Sequence, residues 1–265
     1  MSSLATTAGT TFARTLRAEW IKFRSLRSTW YTLAGLFVVG LGLTGVFMSS
    51  AGEMYQEAMA KGQAWDPTKV SLQSFLLAQL IIGVLGMLII TSEYATGMMR
   101  TSLTATPRRY QLLSAKVVVT TAIAVLAGQA LMFAAFFLGQ IVLTFQGVPH
   151  AALGEPGVFA AVAGGGLYPA AIAVLAVGLG TITRATAGAL ATLVGIIFLV
   201  PAFSGLLPSW LQWLLDFWPS LGGAAVLTTV PNPDYPHPWL NLGGMCLGIA
   251  AVLAAAFVLF RRRDV

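Results

Sequence analysis

The chain has 265 residues, of which 57% are hydrophobic and only 9% charged, with 15 Lys and Arg against 9 Asp and Glu. A soluble domain carries roughly 25% charged residues, so a single core in water does not account for this composition. In a bilayer, lipid-facing residues can be as apolar as the core. The lone cysteine, Cys246, excludes an intramolecular disulfide and any multi-cysteine metal site. The composition therefore predicts an all-α membrane protein with several spans.

Residues 1–29 are predicted to form a cytoplasmic leader that contains an amphipathic helix over residues 11–27. Apolar side chains recur there at helical spacing, which is typical of a helix lying on the inner membrane surface. Glu19 lies at the edge of this stripe and weakens the pattern. An ordinary basic flank that happens to be helical is the alternative. The predicted interfacial residues are Phe12, Leu16, Trp20, Phe23 and Leu26.

Residues 30–265 are predicted to form a domain with six transmembrane helices, each at or above the roughly 20 residues that a bilayer requires. The third span is long, which indicates a tilt or a projecting end. In the fourth, three glycines and Pro169 predict a kink or a break. The spans are predicted at 30–48, 70–91, 117–145, 158–181, 187–206 and 239–260.

The segment 207–238 differs from the spans because six prolines interrupt it and three tryptophans are clustered in it. Tryptophan prefers the headgroup level of a bilayer. We expect short re-entrant or interfacial helices here, on the outer side, and not a seventh span.

Positive charges indicate the orientation, because cytoplasmic loops are enriched in Lys and Arg. Of the 15 basic residues, 13 fall on one side of the predicted spans, and only Lys61 and Lys69 on the other. With six spans, both termini are predicted to be cytoplasmic. The basic balance is thus explained without nucleic acid as a partner. The 13 residues are Arg14, Arg17, Lys22, Arg24, Arg27, Arg100, Arg108, Arg109, Lys116, Arg184, Arg261, Arg262 and Arg263.

The loop 92–116 between the second and third spans is the segment of the chain that is richest in polar residues. Glu93 stands where the second span leaves the membrane, Gly97 permits a turn, and Pro107 ends any helix before it. We expect a short helix between residues 97 and 106, roughly parallel to the membrane. Its Met98, Met99 and Leu103 would be available for docking to a cytoplasmic partner. A solvated charged loop explains the same residues equally well.

Three motifs in this order resemble the type-2 ABC exporter permeases, especially those of actinobacteria. One is the loop just described, another is the stretch 178–201 with its turn at Arg184, and the third is the ending LFRRRDV. The loop motif consists of Glu93, Tyr94, Gly97, Arg100, Thr101, Leu103, Pro107, Arg108 and Arg109, followed by Lys116.

The resemblance implies a multi-pass protein of the bacterial inner membrane, one half of a dimeric pore formed with a second copy or a paralogue. A separate ABC ATP-binding subunit would carry ATP and magnesium, so this chain would need no cofactor of its own. The nine residues of the loop motif from Glu93 to Arg109 would couple the permease to that subunit. Export is the usual direction in the family, and the substrate is expected to be hydrophobic or amphipathic.

The chain's own chemistry agrees with a non-enzymatic subunit. It contains no G-x-x-x-x-G-K-[ST] phosphate loop, and its two histidines, His150 and His237, fall in predicted outer loops. No ionisable residue is predicted near a midplane, where ion-driven carriers usually hold one. Gln129, Gln140 and Tyr168 lie inside spans and could line a translocation path or join helices. An ATP-independent carrier or channel, a membrane enzyme and a membrane sensor or anchor remain the alternatives.

Overall fold

The computed structural model describes the backbone of residues 7–106 and 108–263, with side chains from Phe12 onward. In these residues every regular element is helical. The helices are α1 (Thr7–Ser25), α2 (Arg27–Ser49), α3 (Ala51–Ala60), α4 (Pro67–Ser71), α5 (Phe75–Ala95), α6 (Met98–Ala105), α7 (Arg109–Phe145), α8 (Val158–Thr183), α9 (Thr186–Val194), α10 (Val200–Ala202) and α11 (Pro238–Arg262). The π-helical residues Gly195–Leu199 join α9 to α10.

Five helices, α2, α5, α7, α8 and α11, are long and apolar enough to cross a membrane. The fifth predicted span, 187–206, corresponds to the apolar stretch Thr186–Ala202, which forms a shorter helix with the π segment inside it. At a rise of 1.5 Å per residue this helix is about 26 Å long, somewhat less than the ~30 Å hydrocarbon core. Five helices of the described residues thus have the length and composition of membrane spans, and the sixth span stays a prediction.

Helix α8 lies at the centre of the bundle and packs against α5, α7 and α11. Small residues allow this close packing: a Cβ added to Gly128 of α7 would lie only 2.5 Å from the carbonyl oxygen of Gly166 in α8. The helix runs without interruption through Pro169, so the break that its sequence favours is absent. A proline removes one backbone hydrogen bond from its helix, and such a loss is tolerated where neighbouring helices pack against the site.

Helix α1 is present as predicted, but Phe23 of the stripe predicted to face lipid is buried inside the protein. Phe23 is buried against Leu85, Val119 and Ile123, whereas Trp20 and Leu26 are 42% and 46% exposed. Phe12 and Leu16 are half-buried. The face that packs on α7 also carries Glu19, which is only 5% exposed and pairs with Lys116 of α7. Contact of the exposed Trp20 and Leu26 with lipid stays a prediction.

The segment between α10 and α11 forms three short 3-10 helices, Ser204–Leu206, Ser209–Phe217 and Gly222–Leu227. Its hydrogen bonds to the bundle include those from Trp218 Nε1 to the carbonyl oxygen of Ile196 (2.7 Å) and from the amide of Ser220 to the hydroxyl of Tyr168 (2.9 Å). Trp210 and Trp213 stay exposed, at 70% and 57%. The structure thus has short helices here, and their position at the membrane surface remains a prediction.

Helix α7 has 37 residues, about 55 Å at 1.5 Å per residue, so it extends well beyond a hydrocarbon core of ~30 Å. It begins at Arg109, eight residues before the predicted third span. The start of α7 lies at the same end of the bundle as α1, α6, the turn between α8 and α9, and the end of α11. We call this end of the bundle the basic end. The other end carries α3, α4 and the 3-10 segments, and we call it the opposite end.

Candidate functional site: the basic end of the helix bundle

Four charged side chains from three helices meet inside the basic end: Glu19 and Lys22 of α1, Glu93 of α5 and Lys116 of α7. We call these four residues the charge cluster. Lys116 Nζ lies 2.7 Å from Glu19 Oε2 and 2.6 Å from Glu93 Oε1. Lys22 Nζ lies 2.8 Å from Glu19 Oε1 and 3.0 Å from Glu93 Oε1. Each cation thus bridges both carboxylates.

A serine of the short helix α6 joins this arrangement. Ser102 Oγ accepts a hydrogen bond from Lys22 Nζ (3.0 Å) and donates one to Glu93 Oε2 (3.2 Å). Helix α6 is therefore bonded directly to the residues that connect α1, α5 and α7. One set of contacts thus links α6 to all three helices.

The charge cluster is electrically neutral, with two carboxylates and two ammonium groups. Lys116 is 1% exposed, and Glu19 and Glu93 are 5% and 6% exposed, so removal of one member would leave an uncompensated buried charge. Lys22 is more accessible. Burial lowers its pKa, but the hydrogen bond and charge of Glu19 and those of Glu93 raise it, and the net result is a pKa above the ordinary lysine value.

The short helix predicted between residues 97 and 106 is confirmed as α6, with Gly97 preceding it at a φ of 71°. Met99 is fully buried, so the prediction that it is available for docking is wrong; it packs with Ile90 and Leu112 in the core of the basic end. Leu103 is half-buried against the same cluster. The exposed face of α6 instead presents Met98, Arg100 and Thr101. Pro107 lies outside the described residues.

Tyr94, in the last turn of α5, contacts Arg184 at the end of α8. The guanidinium carbon of Arg184 lies 5.2 Å from the centre of the tyrosine ring, a cation–π distance. Arg184 has a left-handed backbone, with φ 57°, and ends α8. A cavity of about 400 Å³ opens at this contact, lined by Tyr94, Gly97, Met99, Arg100 and Arg184. We call it the arginine cleft.

Arg109, the first residue of α7, holds the end of α11. Its Nη1 donates to the carbonyl oxygens of Phe260 (3.3 Å), Arg261 (3.3 Å) and Arg263 (2.7 Å). Arg263 in turn donates to the carbonyl oxygen of Ile182 in α8 (3.0 Å). Cations are favoured at these helix ends because the last carbonyls carry partial negative charge. Arg108 is exposed beside them.

The three polar residues predicted inside the spans all make hydrogen bonds between elements. Gln129 Nε2 donates to the carbonyl oxygen of Ala163 (2.8 Å), Gln140 Nε2 to Ser71 Oγ (2.9 Å), and the Tyr168 hydroxyl to Gln79 Oε1 (2.6 Å). These bonds fit the role of joining helices. A role in translocation stays a prediction.

The sequence interpretation missed Glu19, Lys22 and Ser102 as parts of the site. One signal could have found the pair of Glu19 and Lys116: both are ionisable residues on otherwise apolar helix faces, and such residues generally pair. Gln79 was missed because a glutamine inside a span has several kinds of partner. Within the described residues, no group of three His, Cys, Asp or Glu side chains is placed to hold a metal ion.

Comparison with known proteins adds the family. Residues 15–210 match the model of the ABC-2 family transporter proteins, a range that includes the charge cluster, α6 and the arginine cleft. No curated protein matches the chain significantly. Because the match spans well over half of the 265 residues, this chain belongs to the ABC-2 family of transporter proteins, as a membrane component.

Proposed function

We propose that this chain is the permease subunit of an ATP-driven ABC exporter and is moved by a separate ATP-binding subunit that contacts its basic end. The observation that carries the proposal is the bonding of α6 to the charge cluster within a chain of the ABC-2 family. Helix α6 is the element that the family resemblance assigns to contact with the ATP-binding subunit. Its exposed face is free to do so, and its buried face touches three further helices.

Force applied to α6 has a direct route into the membrane helices. Ser102 and Glu93 connect α6 to α5, and Lys116 connects Glu93 to α7 and α1. Buried ion pairs resist separation because an isolated charge at this depth is costly. The four elements are therefore expected to move together when the partner closes on ATP.

The remaining parts of the proposal concern topology and assembly. Six spans, including the short Thr186–Ala202, would place both termini in the cytoplasm of a bacterial cell. The concentration of basic residues at one end supports this orientation. The translocation path would form between two permease copies, or a copy and a paralogue. ATP and magnesium would be bound by the partner subunit, and the cargo would be hydrophobic or amphipathic.

A coupling experiment tests the proposal. The chain would be co-expressed with each candidate ABC ATP-binding subunit, purified in lipid nanodiscs and assayed for ATP hydrolysis. Thr101→Trp places a bulky side chain on the exposed face of α6, and Gln56→Trp is the matched control on exposed α3 at the opposite end. We expect a stable complex whose hydrolysis falls with Thr101→Trp only.

Transport by the chain alone would contradict this function. If no ATP-binding subunit associates and a dye crosses liposomes without nucleotide, the chain is an ATP-independent carrier or channel. Equal effects of Thr101→Trp and Gln56→Trp would contradict the role of α6.

Orientation has a separate test, which uses the single native cysteine. In a Cys246→Ser background, Arg100→Cys and Lys61→Cys would be labelled in intact cells with a membrane-impermeant maleimide. We expect only Lys61→Cys to react. The reverse pattern would invert the topology and would place α6 out of reach of any cytoplasmic ATPase.

A further inference from the structure

A cavity of about 190 Å³ lies between the end of α1, the last turns of α5 and the first part of α7. All four members of the charge cluster line it, and we call it the α1 cavity. Two further lining residues, Leu26 and Met98, are exposed and mark its mouth. The rest of the lining is mainly apolar. The apolar side chains are Phe23, Leu26, Ile89, Met98 and Val119.

The hydrogen-bonding groups of this lining already have partners. The members of the charge cluster bond to one another, and the hydroxyls of Ser25, Ser92 and Thr96 donate to carbonyl oxygens of their own helices. A ligand in the cavity therefore needs no hydrogen-bonding group of its own. An apolar cavity of about 150 Å³ can bind a benzene ring, so this one has room for a short length of alkyl chain.

Exposed aromatic side chains lie next to the α1 cavity. Trp20 stacks on Phe23 of the lining, with ring centres 6.3 Å apart. Trp30 Nε1 donates to the carbonyl oxygen of Arg24 (3.0 Å), and the exposed Tyr31 follows it. Tryptophan and tyrosine are enriched at the headgroup level of a bilayer. These rings indicate that the mouth of the cavity lies near the headgroups of the leaflet at the basic end.

Basic side chains lie at the same place. Lys22 belongs to the lining, and the exposed Arg24 and Arg27 flank two of its other residues in the sequence. The sequence has no Asp or Glu between Glu19 and Glu53, and Glu19 is bonded within the charge cluster. Basic residues beside a spanning helix attract anionic lipids. The mouth of the cavity therefore matches a phosphate group as well as an alkyl chain.

We infer that the α1 cavity holds one acyl chain of an anionic phospholipid, whose phosphate lies beside Lys22, Arg24 and Arg27. The hydrocarbon of a bilayer is as apolar as the cavity, so an acyl chain alone gains little by entering. The headgroup supplies the preference, because a phosphate at the mouth meets three cations. The site is thus selective for the charge of the lipid.

A bound acyl chain has a consequence for coupling, and this part of the inference rests on the proposed function. The chain would keep water away from Glu93 and Lys116 on the side of the cavity. Ion pairs are stronger where water is excluded, so the lipid would tighten the connection between α1, α5 and α7. Binding itself requires only that the basic end lies at a membrane surface, so the two parts are tested separately.

An apolar side chain of the ATP-binding subunit is the competing occupant, because Met98 belongs to the exposed face of α6. The aromatic and basic side chains beside the cavity favour the lipid, since they belong to α1 and α2 and match a headgroup region. Contact with the ATP-binding subunit is therefore an outcome of the test.

Photo-cross-linking of the chain alone tests the site directly. The chain would be placed in phosphatidylcholine nanodiscs that contain a phosphatidylglycerol with a diazirine in its acyl chain, and adducts would be located by mass spectrometry. Thr96→Trp fills the cavity from an exposed lining position, and Thr104→Trp is the same change at an exposed position of α6 outside the lining. We expect adducts at Phe23, Ile89 or Val119. They should persist in Thr104→Trp and be lost in Thr96→Trp.

Charge selection provides the second readout. Native mass spectrometry of the chain in micelles would compare its affinities for phosphatidylglycerol and phosphatidylcholine. The double variant Arg24→Gln/Arg27→Gln removes two cations beside the mouth, and Arg14→Gln/Arg17→Gln, which removes two exposed cations from the middle of α1, is the matched control. We expect the affinity for phosphatidylglycerol to fall roughly 10- to 30-fold in the first. It should fall less than about threefold in the control, whose charges are farther away and screened by salt.

Coupling has its own readout in the assembled complex. ATP hydrolysis would be measured in nanodiscs with increasing fractions of phosphatidylglycerol. We expect the rate to rise in the wild type and in Arg14→Gln/Arg17→Gln, and to stay constant in Arg24→Gln/Arg27→Gln. A constant rate in the wild type would overturn the regulatory part and leave the binding site intact. If no ATP-binding subunit associates with the chain, the proposed function fails, and the adducts still decide the binding site.

Three results would overturn the binding site itself. One is a wild-type chain without adducts at the lining residues. Another is an equal affinity of the wild type for the two lipids, which would remove the role of the cations. The third is loss of the adducts when the ATP-binding subunit binds, which would identify a side chain of that subunit as the occupant.

Discussion

The two ends of the bundle are held together by different chemistry. At the basic end, the charge cluster joins three helices through buried bonds between charged side chains, beside the backbone bonds of Arg109. At the opposite end, one carboxylate is bonded to several backbone amides: Asp66 accepts from the amides of Lys69 (2.9 Å), Thr229 (2.7 Å) and Val230 (3.1 Å). Gln140 likewise accepts from the amide of Ala151 (2.8 Å).

This difference has a mechanical meaning. A backbone amide points where the local chain directs it, so the bonds of Asp66 fix the loop 228–230 in one position. Two charged side chains can exchange partners while their helices shift. Under the proposed function, the opposite end would hold one shape and the basic end would transmit a displacement.

The largest effect is expected from Lys116→Met at the basic end. It removes the cation between Glu19 and Glu93 and leaves two buried carboxylates with Lys22 alone. We expect a loss of about 3–5 kcal/mol in the free energy of unfolding, measured by tryptophan fluorescence in mixed micelles. Lys61→Met, which breaks the exposed pair with Glu57 at the opposite end, is the control and should not measurably change the unfolding midpoint. Equal losses in the two variants would remove the basis of the comparison.

A smaller effect is expected from Asp66→Ala at the opposite end. The change removes a cap of α4 and the acceptor for Thr229 and Val230, at a cost of about 2–3 kcal/mol. Hydrogen exchange should accelerate at the amides of residues 229 and 230, while the basic end keeps its protection. Asp234→Ala, at an exposed position, is the control. Unchanged exchange at residues 229 and 230 would show that Asp66 does not hold this loop.

Two glycines give a matched pair across the ends. Gly97 and Gly62 have φ angles of 71° and 64°, and at both positions an added Cβ would meet open space. Alanine is therefore expected to cost about 1–2 kcal/mol at either site through backbone strain alone. Only Gly97→Ala should also lower ATP hydrolysis by the assembled complex, because Gly97 sets the start of α6. Equal rates of ATP hydrolysis in the two variants would show that the start of α6 is not needed for coupling.

The smallest effect concerns pH. The pKa of Lys22 is raised in the folded chain by Glu19 and Glu93 against the effect of burial. Its contribution to stability is thus fully present below the ordinary lysine pKa and is lost as pH rises through the higher folded value. We expect a stability loss at strongly alkaline pH that is reduced in Lys22→Gln, measured as the unfolding midpoint against pH. Identical profiles for the two proteins would show that Lys22 is not stabilised by the charge cluster.

Much of the fold was predictable because it depends on local patterns. Apolar runs gave the five long helices, and the turn signal at Gly97 gave α6. The leader helix also follows from its periodicity, but the face it turns inward does not. The face of α1 that turns inward depends on Lys116, which lies 97 residues away from Glu19. The spacing of apolar residues along α1 gives no information about such a distant partner.

The candidate site was predictable only in part. Glu93, Tyr94, Gly97 and Arg100 were identified as a group, and the structure places them together near α6. Their roles in coupling stay predictions. The sequence pattern did not indicate that Met99 is buried, because a methionine on a short helix fits either face. The pairing of Tyr94 with Arg184 joins two helix ends that are far apart in sequence, and only the packing of α5 on α8 brings them together.

The π-helical segment before α10 has a consequence for the opposite end of the bundle. A π turn accommodates one more residue than an α turn, and one residue of an α-helix corresponds to a rotation of about 100°. If Gly195–Leu199 returned to α-helical bonding, the side chains beyond it would point in a new direction. Trp218, through its bond to Ile196, holds the wider turn from outside. The 3-10 segments are thus positioned to determine in which direction the side chains of α10 point.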